Sequence, residues 1–136
     1  GFGKTVASTG ELFPGAVAAA LLMSPQFGKD HPDAAQRFVT AYVRGARAYY
    51  TDWMQQGDRP SIVQSFVTHT TIKDAALYDR IGLPSVEPNV STDPTPSWNV
   101  FQDFFIRQGL QEKKIDLAQY VDFSLVHGAI QQLGSV

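Results

Sequence analysis

The sequence predicts an α/β protein, of which these residues form a mostly α-helical part with one or two strands near the N-terminus. Three observations carry that reading. Residues 16–23 are an apolar run that breaks at Ser24-Pro25, and such a run calls for burial on both sides. Nothing else in the chain reads as a strand that could pair with it. Beyond Pro25 the sequence is a succession of capped, amphipathic helices. Gly1 is not a start methionine, and no charged or apolar leader follows it. Together with the unpaired run, this predicts the C-terminal portion of a larger α/β protein, with part of any binding cleft supplied by the rest.

Residues 1–15 are rich in Gly, Ser and Thr and end in Phe13-Pro14-Gly15, a turn signal. Residues 16–23 read either as a buried strand or as a short helix. Their four alanines favour helix, Val17, Leu21 and Leu22 fit both, and the short length bounded by Pro25 suits a strand. The clearest element runs from Pro32 to about Gln56. Asp30 or His31 stands at its cap, and Pro32 occupies the first turn, where a missing N–H costs nothing. Ala35, Phe38, Val39, Tyr42, Val43, Ala46, Tyr49, Tyr50 and Trp53 recur at helical steps as one wide apolar stripe. Arg37, Arg44 and Arg47 fall on the face expected to be exposed, and Gly57 is the stop.

A second helix is predicted over residues 60–68, with Asp58 near its cap and Ile62, Val63, Phe66 and Val67 on its apolar face. A short third follows Asp74 with Leu77, Tyr78 and Ile81, ending at Gly82. Pro84, Pro88, Pro94 and Pro96 then deny regular structure to residues 82–97, which read as a connector. Thr95-Pro96 starts a helix lined by Trp98, Phe101, Phe104 and Phe105 and closed by Gly109. Asp116 caps a short turn through Tyr120. Asp122 caps a last helix with Leu125, Val126, Ala129, Ile130 and Leu133 inward and Gly134 as its stop.

Composition excludes several function classes. The length of 136 residues suits one domain, burying about 68% of its unfolded surface. A net charge of −2, with Lys113-Lys114 the one adjacent basic pair, offers no stripe for nucleic acid. The longest apolar run falls short of the roughly 20 residues needed to span a bilayer. The absence of cysteine excludes disulfides, thiol catalysis and cysteine-bound zinc or iron–sulfur clusters.

Few residues are patterned for chemistry. Gly3-Lys4-Thr5 ends like a phosphate-binding loop, but the motif needs an earlier glycine and a following helix, and residues 6–10 are small and polar. His31, His69 and His127 have no ligand-spaced partner, so no metal site is predicted, and His127 reads as a partly buried, satisfied group on the last helix. No nucleophile elbow surrounds any serine. Asp58, Asp74, Asp116 and Asp122 stand at helix starts, where capping explains them. Neither catalytic residue nor cofactor is predicted. The segment hardest to attribute to packing is Thr9-Gly10-Glu11-Leu12-Phe13-Pro14, just before the apolar run. Loops at strand ends are where α/β proteins hold ligands, which makes Glu11, Phe13 and Pro14 the candidate ligand-binding residues.

The residues also resemble a family. Ala18-Ala19-Ala20-Leu21-Leu22-Met23-Ser24-Pro25-Gln26-Phe27, then His31-Pro32-Asp33-Ala34-Ala35-Gln36-Arg37-Phe38 and Tyr42-Val43-Arg44-Gly45, are similar to the C-terminal part of ABC-importer solute-binding proteins. Within these, they resemble the nitrate/sulfonate/taurine and thiamine-pyrimidine-precursor branch. Thr70-Thr71-Ile72-Lys73-Asp74 with Leu77-Tyr78 fits the pattern, as does the ending with Gly109-Leu110, Asp116-Leu117, Val121-Asp122 and the stretch from Ala129 to Leu133-Gly134. The resemblance implies a type II periplasmic-binding fold of two α/β lobes around a ligand cleft. Residues 1–15 would end the second lobe, 16–23 would be the strand crossing back, and 16–136 would be the C-terminal part of the first lobe. It further implies a periplasmic protein that captures a small solute, such as a sulfonate, nitrate or pyrimidine precursor, for a membrane permease. Alternatives are a thiamine-pyrimidine biosynthetic enzyme of the same fold, whose cysteine-rich motif has no counterpart here, and a helical protein-interaction module. The unpaired apolar run predicts that this chain, produced alone, self-associates.

Overall fold

The computed structural model describes residues 3–4, 6–134 and 136. Its helices are α1 (Thr9–Leu12), α2 (Pro25–Asp30), α3 (Pro32–Tyr49), α4 (Arg59–His69), α5 (Thr95–Arg107) and α6 (Ser124–Leu133). A π turn over Tyr50–Met54 continues α3, and 3₁₀ turns occupy Ala75–Asp79 and Leu117–Tyr120. No strand occurs among the described residues. The chain resolves into two compact units: Gly1–Met23 with Thr92–Asp122, and Ser24–Ser91 with Phe123–Val136.

The second of these holds the apolar core. Pro32 and Asp33 lie in the first turn of α3 and Arg47 in its last, as the helix dipole favours. Ala35, Val39, Val43 and Ala46 form the buried stripe, and α6 is the main neighbour of α3. Two small residues of α6 permit close approach: Ala129 is fully buried, and a Cβ on Gly128 would run into the Gln36 side chain. A polar seam runs beside the apolar one. Gln36 Nε2 donates to the Leu125 carbonyl (2.9 Å) and to Thr40 Oγ1 (3.3 Å), and the Thr40 hydroxyl donates to Gln132 Oε1 (3.3 Å). The predicted stripe is wider than the surface this packing covers, for Phe38 and Tyr42 stay about half exposed.

At Tyr50 the hydrogen-bond ladder lengthens. Gln55 N–H reaches the Tyr50 carbonyl and Gly57 N–H the Thr51 carbonyl, both at 3.0 Å. The added residue re-phases the helix, and Trp53 meets Phe66 of α4, with Tyr49 and Tyr78 completing an aromatic cluster. Arg59 lies over the Trp53 ring, 3.8 Å from its centroid.

Several expected caps form. Asp58 accepts from Ser61 N–H (3.1 Å), Asp74 from Ala76 N–H (3.0 Å) and Asp116 from Ala118 N–H (3.2 Å). Three expectations are corrected. The cap position of α6 is Phe123, one residue after Asp122. Arg47 does not lie free on an exposed face. Its guanidinium donates to Asn89 Oδ1 (2.8 Å) and to the Leu133 and Gly134 carbonyls (3.4 and 2.7 Å), tying off the C-terminal end of α6. His127 is exposed rather than partly buried, its ring 6.3 Å from that of Phe123.

In the other unit, residues 16–23 form neither the predicted strand nor a helix. They run without turn or bend, mostly exposed, with Leu22 at 89%. The first two of them are tied down: Ala16 N–H donates to the Phe13 carbonyl (3.1 Å), Val17 N–H donates to Ser97 Oγ (3.2 Å), and the Val17 carbonyl accepts from Trp98 Nε1 (2.7 Å). The reason is physical. A strand needs a neighbour, and the described residues supply none. Residues 9–12, read from sequence as loop, are the short helix α1, closed by a reciprocal capping box between Ser8 and Glu11.

Candidate functional site

The predicted ligand residues fall in the unit built around α5. Proline at the second position of that helix fixes its start, and its aromatic side chains recur at helical spacing. Phe13 leaves α1 and meets Phe101 edge-on, with ring centroids 6.3 Å apart. Beside this pair lies a shallow hollow of about 140 Å³ lined by Phe13, Pro14, Ala16, Ser97, Val100 and Phe101. The structure therefore brings Phe13 and Pro14 together on one wall. Glu11 does not join them. Its Oε2 accepts the Ser8 N–H at 2.6 Å, while the Ser8 hydroxyl accepts the Glu11 N–H at 3.2 Å. These bonds, the backbone one foremost, hold the exposed Glu11 carboxyl below its ordinary pKa. A carboxylate engaged in this way has less freedom to hold a ligand.

A larger hollow of about 610 Å³ opens along α5, lined by Trp98, Phe101, Phe105, Ile115 and Leu117 together with Glu112 and Lys113. Gln102 organises it. The side chain is buried, and all four of its hydrogen-bonding positions are used. Its Oε1 accepts from Ile115 N–H (2.8 Å) and Gln111 Nε2 (2.7 Å), while its Nε2 donates to the Ile115 carbonyl and to Asn99 Oδ1 (both 3.1 Å). Gln102 thus pairs with Ile115 as a strand would, fixing the loop after α5. Lys114 pairs with Asp103 at 2.8 Å on the exposed side. Most of the lining is apolar, with Glu112 and Lys113 its charged members, so the hollow suits uncharged or aromatic surface better than a compact anion.

Sequence reasoning missed Gln102, which no motif marks, and the capping role of Glu11. The pattern Ser8-x-x-Glu11 was the available signal for the latter. The remaining candidates stay apart. His31 is exposed beside Phe27, at 5.4 Å between rings, and His69 ends α4. No cluster of three metal-binding side chains occurs among the described residues. Gly3 and Lys4 are exposed, and Thr5, the last residue of the phosphate-loop reading, lies outside the described residues. Outside this unit, burial raises the pKa of Tyr49, whose hydroxyl donates to the Pro84 carbonyl at 2.6 Å. Among the described residues no helix is long and apolar enough to cross a membrane. No protein family, curated protein or solved structure matches the chain.

Proposed function

We propose that this chain belongs to the solute-binding component of an ABC importer, working outside the cytoplasmic membrane without catalysis. It would capture a sulfonate, nitrate or pyrimidine-precursor solute and present it to a permease. The reading rests on the resemblance of the residues. The observation that supports it best is the apolar run at 16–23, which follows the Phe13-Pro14 loop and has no strand partner among the described residues. In a two-lobed binding protein such a run crosses between lobes and enters a sheet, and the loop before it borders the cleft. Residues 1–15 then belong to the second lobe and 16–136 to the first. Phe13 and Pro14, beside Phe101, are the proposed contacts, with Glu11 setting the loop that carries them.

The test is calorimetry of the gene product with taurine, nitrate and an aminopyrimidine as probes. Binding of one probe, weakened at least about tenfold by Phe13→Ala, is expected; tenfold corresponds to about 1.4 kcal/mol. No binding of any probe, or binding indifferent to Phe13, refutes the assignment. A second reading, a helical interaction module, is favoured by the exposure of Phe38 and Tyr42, one turn apart on α3. It predicts that Phe38→Ser abolishes partner capture without affecting any of the three probes.

A further inference from the structure

The connector over residues 82–91 forms no helix or strand, and Pro84 and Pro88 deny it a hydrogen-bond ladder. Side chains from the end of α3 and its π turn grip it instead, at three successive points. Tyr49 Oη donates to the Pro84 carbonyl (2.6 Å), the Val86 N–H donates to Met54 Sδ (3.4 Å), and the Arg47 guanidinium donates to Asn89 Oδ1 (2.8 Å). The middle grip differs in chemistry from the other two. A thioether is a soft nucleophile that takes up oxygen under mild conditions. Met54 is 39% exposed, so a small oxidant reaches it. The sequence has no cysteine, so no thiol competes, and Met23 is its one other methionine.

We propose that, whatever solute the protein carries, Met54 is a reversible oxidation site whose sulfoxide unfastens the connector at Val86. The oxidant is a peroxide. A sulfur lone pair attacks one peroxide oxygen, and the S–O bond forms as the O–O bond breaks. With hydrogen peroxide, the proton on the transferred oxygen passes to the departing hydroxide, leaving sulfoxide and water. Sulfur is oxidised and the peroxide reduced. An oxygen added on the side facing Val86 does not fit within the 3.4 Å between sulfur and nitrogen, because an N–H···O bond takes about 2.9 Å by itself. An oxygen added on the open side leaves sulfur with partial positive charge toward the N–H, no longer an acceptor. Both routes part Val86 from Met54. Tyr49 and Arg47 still hold Pro84 and Asn89, so the connector loosens between its outer grips while the α3–α6 packing stays. Methionine sulfoxide reductases reverse the step.

The test treats the protein with dilute hydrogen peroxide in a Met23→Leu background. Peptide mass follows oxygen uptake at Met54, and amide exchange follows Val86. Met54 should take up one oxygen in the folded protein. Exchange at Val86 should then accelerate at least about threefold, the loss of one net hydrogen bond, with Val43 in the buried seam unchanged. Methionine sulfoxide reductases should restore the slow exchange. Met54→Leu keeps the bulk and lacks the acceptor. It should show the fast Val86 exchange without peroxide, and peroxide should add nothing. Failure of Met54 to oxidise while the protein is folded overturns the proposal. So does Val86 exchange that is unchanged or slower in the sulfoxide, which would mean that the new oxygen keeps the grip. Equal acceleration at Val43 overturns it too, since that reports general unfolding.

Discussion

Replacing Gln102 tests whether a single amide holds the wall of the larger hollow. Gln102→Ala removes four hydrogen bonds, three of them to the loop at Gln111 and Ile115. A net bond contributes about 0.5–1.5 kcal/mol when water can replace the lost partner, and Ile115 is half exposed, so water can reach it. Three loop bonds then sum to about 1.5–4.5 kcal/mol. At about 1.4 kcal/mol per factor of ten, loop opening should become roughly ten- to thousand-fold more frequent. Amide exchange at Ile115 reads this directly, because its N–H donates to Gln102 Oε1. Trypsin cleavage after Lys113 and Lys114 reads it independently. Gln102→Glu is the sharper variant. It keeps the size but puts a second acceptor where Nε2 now faces two acceptors, the Ile115 carbonyl and Asn99 Oδ1. It should open the loop at neutral pH and recover partly in acid, where the protonated carboxyl can donate again. Unchanged Ile115 exchange and cleavage in a folded Gln102→Ala protein would falsify the clamp, leaving the Lys114–Asp103 pair and apolar contacts to hold the loop.

Other outcomes follow from the same geometry. Val43→Ala, at the fully buried centre of the α3–α6 seam, removes two methyl groups. It should cost about 1.6 kcal/mol of transfer energy, rising to about 2–3 kcal/mol if the space stays open, and urea unfolding measures it. Val90 has a left-handed backbone at φ 56° although it is β-branched, within a loop that Glu87 holds through the Asn89 and Ser91 N–H groups. Relief of about 1–2 kcal/mol of strain outweighs glycine's added chain entropy, so Val90→Gly should raise the melting temperature by a few degrees, and a lower one would contradict the strain. Glu11 has a depressed folded pKa. Its capping contribution is therefore present above the ordinary value of 4.5 and is lost as pH falls through the folded value. Protection of the α1 amides should fall as the pH drops below the ordinary value of 4.5 and through the depressed folded one, and Glu11→Gln should abolish that dependence while keeping the helix.

How far the sequence could be read depends on how local each cause was. Proline at the first turn, aspartate caps and helix-period stripes act within a few residues, so α3, α4, α5, α6 and the caps at Asp58, Asp74 and Asp116 were legible. The N-terminal strands were not, because a strand is a property of two segments and the second is not among the described residues. Arg47 was misplaced for a related reason: its partners, Asn89 and the end of α6, lie far along the chain. Of the candidate site, Phe13 and Pro14 were found through their turn and position. Glu11 was chosen for its charge, and its capping partner three residues back was overlooked. Gln102 lies buried on the aromatic face of α5, between Trp98 and Phe105, and pairs with a loop backbone, and no apolar periodicity announces a glutamine there.

The π turn at the end of α3 lets one continuous helix serve two neighbours. Each α-helical residue advances the face by about 100°, so one surplus residue swings the apolar side through about that angle. Ala46 and the residues before it address α6, whereas Tyr49, at the junction, and Trp53 address Phe66 of α4. The helix therefore behaves as a gearbox with one tooth added. Removing Thr51 would restore the regular pitch and pull Trp53 away from Phe66 and from Arg59 above its ring, while leaving Val43 in its seat. The α3–α6 pair and the aromatic cluster with α4 are in this sense separately adjustable, and insertions or deletions of one residue at positions 50–54 are the means of adjusting them.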